Sequence, residues 1–252
     1  MATLDSARLA EGLREQTARF ARAVTGADPG AQVPTCPEWR LRDLVGHIGQ
    51  VHRWAAELVR KGEPQPVPDP RQAVPGAPDE WAGWLRAGAG ELVEAIEQTG
   101  AGTEVWTILG RAPAVFWLRR MLSETSIHHY DAAATTGAGF EIAEDLAADA
   151  ITEALELISA PGMEAINPGL AELRGQGETL GLRPYSMEGW LIIRTPAGVQ
   201  WERGTREADV VVSGPVRDVM LVLSRRVPPA DGTVEIRGES ALLDQLLARM
   251  AF

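Results

Sequence analysis

The sequence predicts a two-part α+β protein: a helical bundle over residues 1–160, then a small α/β domain over residues 175–252. Three observations carry this expectation. Apolar residues recur at helical spacing in five segments of the first part. A cluster of Pro and Gly starting at Pro161 breaks that rhythm. Short β-rich runs then alternate with two helical stripes.

The first stripe is Leu9, Leu13, Phe20 and Val24. The second is Leu44, Ile48, Val51, Ala55 and Leu58, with Pro34 and Pro37 ahead of it and Lys61 then Gly62 closing it. A base in the last turn followed by glycine is a stop signal. Pro64, Pro66, Pro68, Pro70, Pro75 and Pro78 make the next segment a loop with no helix in it. Trp81, Trp84, Leu85, Leu92 and Ile96 form the third stripe, ended by Gly100 and Gly102. Phe116, Leu118, Met121, Leu122 and Thr125 form the fourth, and Leu146, Ile151, Leu155 and Ile158 the fifth. Each stripe can be hidden only against the others, so a bundle follows. After Gly162, Pro168, Gly169, Gly175 and Gly177, strands are expected at Trp190 to Thr195, Val199 to Glu202, Asp209 to Ser213 and Thr233 to Arg237. A helix from Pro215 to Arg226 has proline at its first turn, and Leu242, Leu243, Leu246, Leu247 and Met250 mark a closing helix.

At 252 residues, 45% of them apolar and 23% charged, the chain can bury a core without disulfides. The formal charge of −11 argues against nucleic acid or an anionic membrane as a partner. A lone Cys36 implies a reducing, cytoplasmic setting. The first eleven residues lack an apolar core and so do not read as a signal peptide, and no apolar stretch is long enough to span a bilayer.

Chemistry is expected where the four histidines fall, in two short windows: His47 and His52, then His128 and His129. Glu124 and His128 are four apart, and Asp131 is three beyond His128, so all three share a helix face. His47 lies three after Leu44 and four before Val51, which turns it inward. His52 is about 140° round the helix from His47, and His129 about 100° from His128, so one histidine of each pair faces in and the other reads as solvated or supporting. If His47, Glu124 and His128 converge, they form a two-histidine, one-carboxylate set with an open position, as in a catalytic metal site. By spacing alone, a lone inward histidine is more often a hydrogen-bonded core residue, and Glu124 with His128 more often a helix-face pair, than metal ligands. Cys36 just ahead of a helix reads as a structural thiol sooner than a reactive one.

Two stretches resemble a known family. Val33-Pro-Thr-Cys-Pro-Glu-Trp39-Arg-Leu-Arg-Asp43-Leu-Val-Gly-His47 and Phe116-Trp-Leu-Arg-Arg-Met-Leu-Ser-Glu124-Thr-Ser-Ile-His128-His-Tyr-Asp131 are similar to motifs of the mycothiol-dependent maleylpyruvate isomerase family. Residues 208–226 and 234–239 are similar to its second domain. The resemblance implies a DinB-like four-helix bundle followed by a sterol-carrier-like α/β domain. It implies a divalent metal, usually zinc, on His47, Glu124 and His128, with mycothiol as cosubstrate. It also implies that Arg226, or its neighbour Arg225, belongs to the thiol site. Asp131 is expected to orient His128. The chain departs from the family pattern at Arg40, His129 and Glu239, none of them a proposed ligand.

The expected function is thus an isomerase or S-transferase in which a metal-activated thiolate attacks a small electrophile. Two rivals stand beside it: a metal hydrolase that needs no thiol, and a non-catalytic protein that binds an apolar ligand.

Overall fold

The computed structural model describes residues 4–231 and 233–250. The reading of the chain's start rests partly on residues 1–3, which lie outside the described residues. The chain divides into two compact units, 1–142 and 143–252.

The first unit is a bundle of four long helices: α1 Ser6–Val24, α2 Leu41–Lys61, α3 Trp81–Thr99 and α4 Val115–Thr136. The side chain of Asp5 caps α1 by accepting from the Arg8 amide at 2.8 Å. Gly62 ends α2 in the left-handed conformation the sequence anticipates, φ +70°, with its amide on the Leu58 carbonyl. At the other end of α2, the Asp43 carboxylate accepts from the Arg40 amide at 2.9 Å, which is half of a capping box. An arginine side chain has no acceptor, so the reciprocal half is closed to it. Leu13, Phe20, Leu44, Ile48, Leu58, Leu85 and Leu92 are fully buried between the helices. Each such side chain contributes about 1.5–3 kcal/mol by leaving water.

Two local elements depart from the expected pattern. The proline-rich segment contains a short 3-10 turn, Pro70–Gln72, started by Asp69 accepting from the Arg71 amide. Between α3 and α4 lies an antiparallel hairpin, β1 Glu104–Thr107 with β2 Gly110–Pro113. Thr107 pairs with Gly110 and bonds its carbonyl, which closes the turn.

The second unit holds α5 Glu144–Ser159, the short α6 Met163–Ile166, and five strands: β3 Thr179–Pro184, β4 Trp190–Thr195, β5 Gly198–Arg203, β6 Val210–Gly214 and β7 Glu235–Gly238. It also holds α7 Val216–Leu223 and α8 Ser240–Arg249. The sheet order is β5-β4-β3-β6-β7, antiparallel except for the parallel pair β3–β6. The sequence reading finds four of these strands and misses β3, the central one. Its Gly181 and Pro184 are residue types that weaken a strand, yet Leu180 and Leu182 are buried and Pro184 closes the ladder against Gly214. The sequence reading groups the stripe of α5 with the bundle. In the structure, α5 packs on α7 and β5, and Trp190 donates to Thr152 on it. Periodicity shows that a face is covered but not what covers it.

Candidate metal centre

α4 carries Glu124, His128 and Asp131 on one face, and α2 brings His47 to meet them. His47 Nε2 lies 3.1 Å from Glu124 Oε1, and His128 Nε2 lies 3.3 Å from the same oxygen. All three donor atoms fall within 4.8 Å of one another. A tetrahedral zinc with donors at about 2.0–2.2 Å spaces them about 3.3–3.6 Å apart, so the set is close to the size such an ion needs.

The surroundings aim the donors. Asp131, fully buried, faces His128 Nδ1 with Oδ2 at 2.7 Å. That contact keeps a proton on Nδ1, so Nε2 is the nitrogen turned toward a cation, and a proton on it is the one a cation would displace. Arg120, one turn ahead of Glu124, holds the second carboxylate oxygen, Oε2. The half-buried indole of Trp39 packs on both imidazoles, with ring centroids 4.9 Å from His47 and 5.6 Å from His128. Thr35 Oγ1 donates to Asp131 Oδ1 at 2.6 Å, and Cys36 Sγ lies 3.7 Å from Oδ2.

Electrostatics point the same way. Burial disfavours charge on Glu124, but hydrogen bonds from His128 and His47 and the Arg120 charge outweigh it and hold the carboxyl well below its usual range. Burial also opposes charge on His128, yet Asp131 and Glu124 push it up to about 9. His47 is lowered, chiefly by burial. Two carboxylates around two imidazoles make a site that favours a positive charge at its centre. The donor set and its spacing therefore fit a divalent cation.

The structure brings together His47, Glu124, His128 and Asp131. Arg226 sits in the second unit, half-buried, with Nη1 donating to the Ser224 carbonyl. Its neighbour Arg225 is exposed and adopts φ +61°. Two expectations about exposure need correcting. His52 is fully buried and His129 nearly so, neither being solvated. His52 Nε2 meets Thr125 Oγ1 at 2.7 Å, and His129 Nδ1 meets Gln16 Oε1 at 2.9 Å. α4 is packed round most of its circumference, so an angle of 100° from an inward residue still ends inside protein. Sequence reasoning assigned no role to Arg120, Thr35 or Trp39. The four-residue step from Arg120 to Glu124 was the one available signal.

A bundle that gathers two histidines and a carboxylate, followed by a small α/β unit, defines a two-domain protein with a candidate metal centre in its helical part. Residues 10–133 match the family model described as the mycothiol maleylpyruvate isomerase N-terminal domain. The crystal structure of the mycothiol-dependent maleylpyruvate isomerase is similar over 95% of this chain and 97% of its own, at 20% identity and a TM-score of 0.64. A histidine-to-alanine mutant of that enzyme gives 21% identity and a TM-score of 0.65 over the same shares. These likenesses show the two-part α+β fold over nearly the whole chain. Comparison with curated proteins gives no match. Among the described residues no helix is long and apolar enough to cross a membrane.

Proposed function

We propose that this chain is a metal- and mycothiol-dependent enzyme that uses a thiolate for S-transfer or for addition–elimination on a small electrophilic substrate. The observation that carries the proposal is the meeting of His47 Nε2, Glu124 Oε1 and His128 Nε2 around one point. Two imidazoles and one carboxylate are a donor set suited to zinc. A divalent cation bound there lowers the pKa of a thiol beside it, so that thiolate forms near neutral pH.

The chain's own residues do the rest. Asp131 keeps the His128 proton on Nδ1. Arg120 holds Glu124 so that one oxygen, Oε1, faces the histidines. Trp39 covers the imidazole faces and narrows the approach of water. Arg226 is the candidate for a carboxylate of the thiol or the substrate, by bidentate pairing. A thiolate that adds to an unsaturated carbon and later leaves has allowed rotation about the bond between, and the product is the geometric isomer. If the sulfur stays and a proton is taken up, the product is a thioether. A reducing cytoplasm would keep both Cys36 and the thiol cosubstrate in the reduced form.

The test is metal analysis of the purified chain, then thiol-dependent turnover of wild type, His47→Ala and Glu124→Ala. The expected result is about one divalent ion per chain in wild type, and loss of both ion and turnover in the variants. Full thiol-dependent turnover by metal-free protein would overturn the proposal, and so would turnover that needs no thiol.

A further inference from the structure

Asp131 stands between the metal-centre histidine and a loop that no sequence argument connects to it. One carboxylate oxygen, Oδ2, faces His128 Nδ1 at 2.7 Å. The other, Oδ1, takes a hydrogen bond from Thr35 Oγ1 at 2.6 Å. Thr35 lies 96 residues earlier, in the segment between α1 and α2.

That segment is held in shape by its own backbone. The Val33 amide reaches the Trp39 carbonyl at 3.1 Å, and the Trp39 amide reaches the Cys36 carbonyl at 2.8 Å. The Leu41 amide closes on Ala31 at 2.9 Å, and Val33 is fully buried as the anchor. The same loop sets Trp39 against both ligand imidazoles. It therefore touches the site at three points: the indole seats the ring faces, the Thr35 hydroxyl reaches Oδ1 of the carboxylate behind one ring, and Cys36 Sγ lies 3.7 Å from Oδ2 of that carboxylate.

A carboxylate tied by one oxygen can still swing about its terminal torsion, which is broad and soft. Two short bonds in different directions remove that freedom. Both are charge-assisted, and so stronger than bonds between neutral groups. The direction of the Asp131 carboxylate decides whether His128 offers Nε2 toward His47 and Glu124 or turns away.

We propose that Thr35 is a positioning residue of the metal centre, acting through Asp131 to hold the His128 imidazole on the point it shares with His47 and Glu124. This inference rests on the metal-centre reading above. It supplies no ligand and takes no part in proton transfer. Its effect is on how well the ligands are aimed.

The experiment is zinc affinity of the full chain, by competition with a chromophoric chelator, together with the absorption spectrum of the cobalt(II)-loaded protein. Thr35→Val removes the hydroxyl at similar volume and leaves every ligand in place. The expected loss is about tenfold in affinity, within the range for outer-shell partners, with a shifted cobalt spectrum. Thr35→Ser restores both. In an Asp131→Ala background, Thr35→Val changes affinity by less than about twofold, because the group it acts through is gone. If the Asp131 variant does not fold, the Val and Ser pair at position 35 still decides the matter. Wild-type protein that binds zinc alongside an unchanged Thr35→Val overturns this inference alone, and so do fully additive effects of Thr35→Val and Asp131→Ala. Wild-type protein that binds no zinc overturns the metal-centre reading and this inference with it.

Discussion

Arg120 lies one helical turn ahead of Glu124, and its guanidinium holds Oε2, the carboxylate oxygen that His47 and His128 leave. Both side chains are largely buried, at 16% and 25% exposed, so the pair is shielded from solvent. Arg120→Met removes a charge that helps keep Glu124 ionised, and the carboxyl pKa moves up. The carboxylate is also freed to turn. We expect zinc affinity to fall by about tenfold at neutral pH, with partial recovery in Arg120→Lys, as for outer-shell partners elsewhere. A chelator competition in which Arg120→Met matches wild type would remove Arg120 from the site's support.

Metal affinity should depend steeply on pH, with a defined sign. His128 is pushed up to about 9 by Asp131 and Glu124, so near neutral pH its Nε2 carries a proton that a cation must displace. Raising the pH removes that competitor. Apparent affinity then rises about tenfold per unit up to that pKa and levels off above it. Calorimetry near pH 7.5 in buffers of different ionisation enthalpy should count about one proton released per ion bound. Binding without proton release, or with affinity flat between pH 6 and 8, would contradict the assigned protonation state.

His47, Glu124, His128 and Asp131 were legible because helices have a fixed period. Steps of three, four and seven put side chains on one face, and scarce histidines marked which faces to compare. The tie between Thr35 and Asp131 was not legible, since no periodic relation links a loop to a helix 96 residues away. The burial of His52 and His129 was misjudged for a related reason. An apolar stripe gives the centre of a buried face but not its width, and α2 packs against α3 through Gly49, which widens that face. Strand β4 was read off its β-rich run from Trp190 to Thr195, whereas β3 is interrupted by a glycine and a proline. The hairpin β1–β2 is too short to show any period.

His52 makes the protein acid-sensitive. Thr125 Oγ1 donates to the Met121 carbonyl at 2.6 Å, so His52 Nε2 donates to Thr125 and its Nδ1 is the bare nitrogen. That Nδ1 is buried with no hydrogen-bond partner among the described residues. Burial, then the charge on Arg53, lowers the pKa from 6.5 to about 3. The unfolded chain therefore takes up this proton first as pH falls. Its contribution to stability is whole above 6.5, is lost on acidification, and stops falling near 3. The loss is about 1.4 kcal/mol per unit within that window. His129, lowered to about 4, adds the same sign over a narrower window. His52→Gln should be less stable at pH 7 but should lose less between pH 6.5 and 4.5 in urea unfolding. Parallel pH profiles for the two proteins would place the sensitive group elsewhere.

Gly49 on α2 and Trp84 on α3 set how closely those helices approach. A Cβ built on Gly49 would stand 1.8 Å from Trp84 Nε1 and 2.4 Å from Cδ1, far inside van der Waals contact. The indole is fixed in turn by Arg53, whose guanidinium stacks 3.9 Å from the ring centroid and also bonds the Gly49 and Trp84 carbonyls. Gly49→Ala therefore forces the two helices apart or drives Trp84 from its slot, and overpacking of this kind costs about 1–3 kcal/mol. Gly90, inside α3 and exposed, is the counterpart: a Cβ there meets nothing within 4 Å. Gly90→Ala gains the helix propensity that glycine forgoes, about 0.8–1 kcal/mol. Opposite shifts of the thermal midpoint, down for Gly49→Ala and up for Gly90→Ala, are the expected pair. A Gly49→Ala protein as stable as wild type would mean that the α2–α3 contact is not set by this glycine.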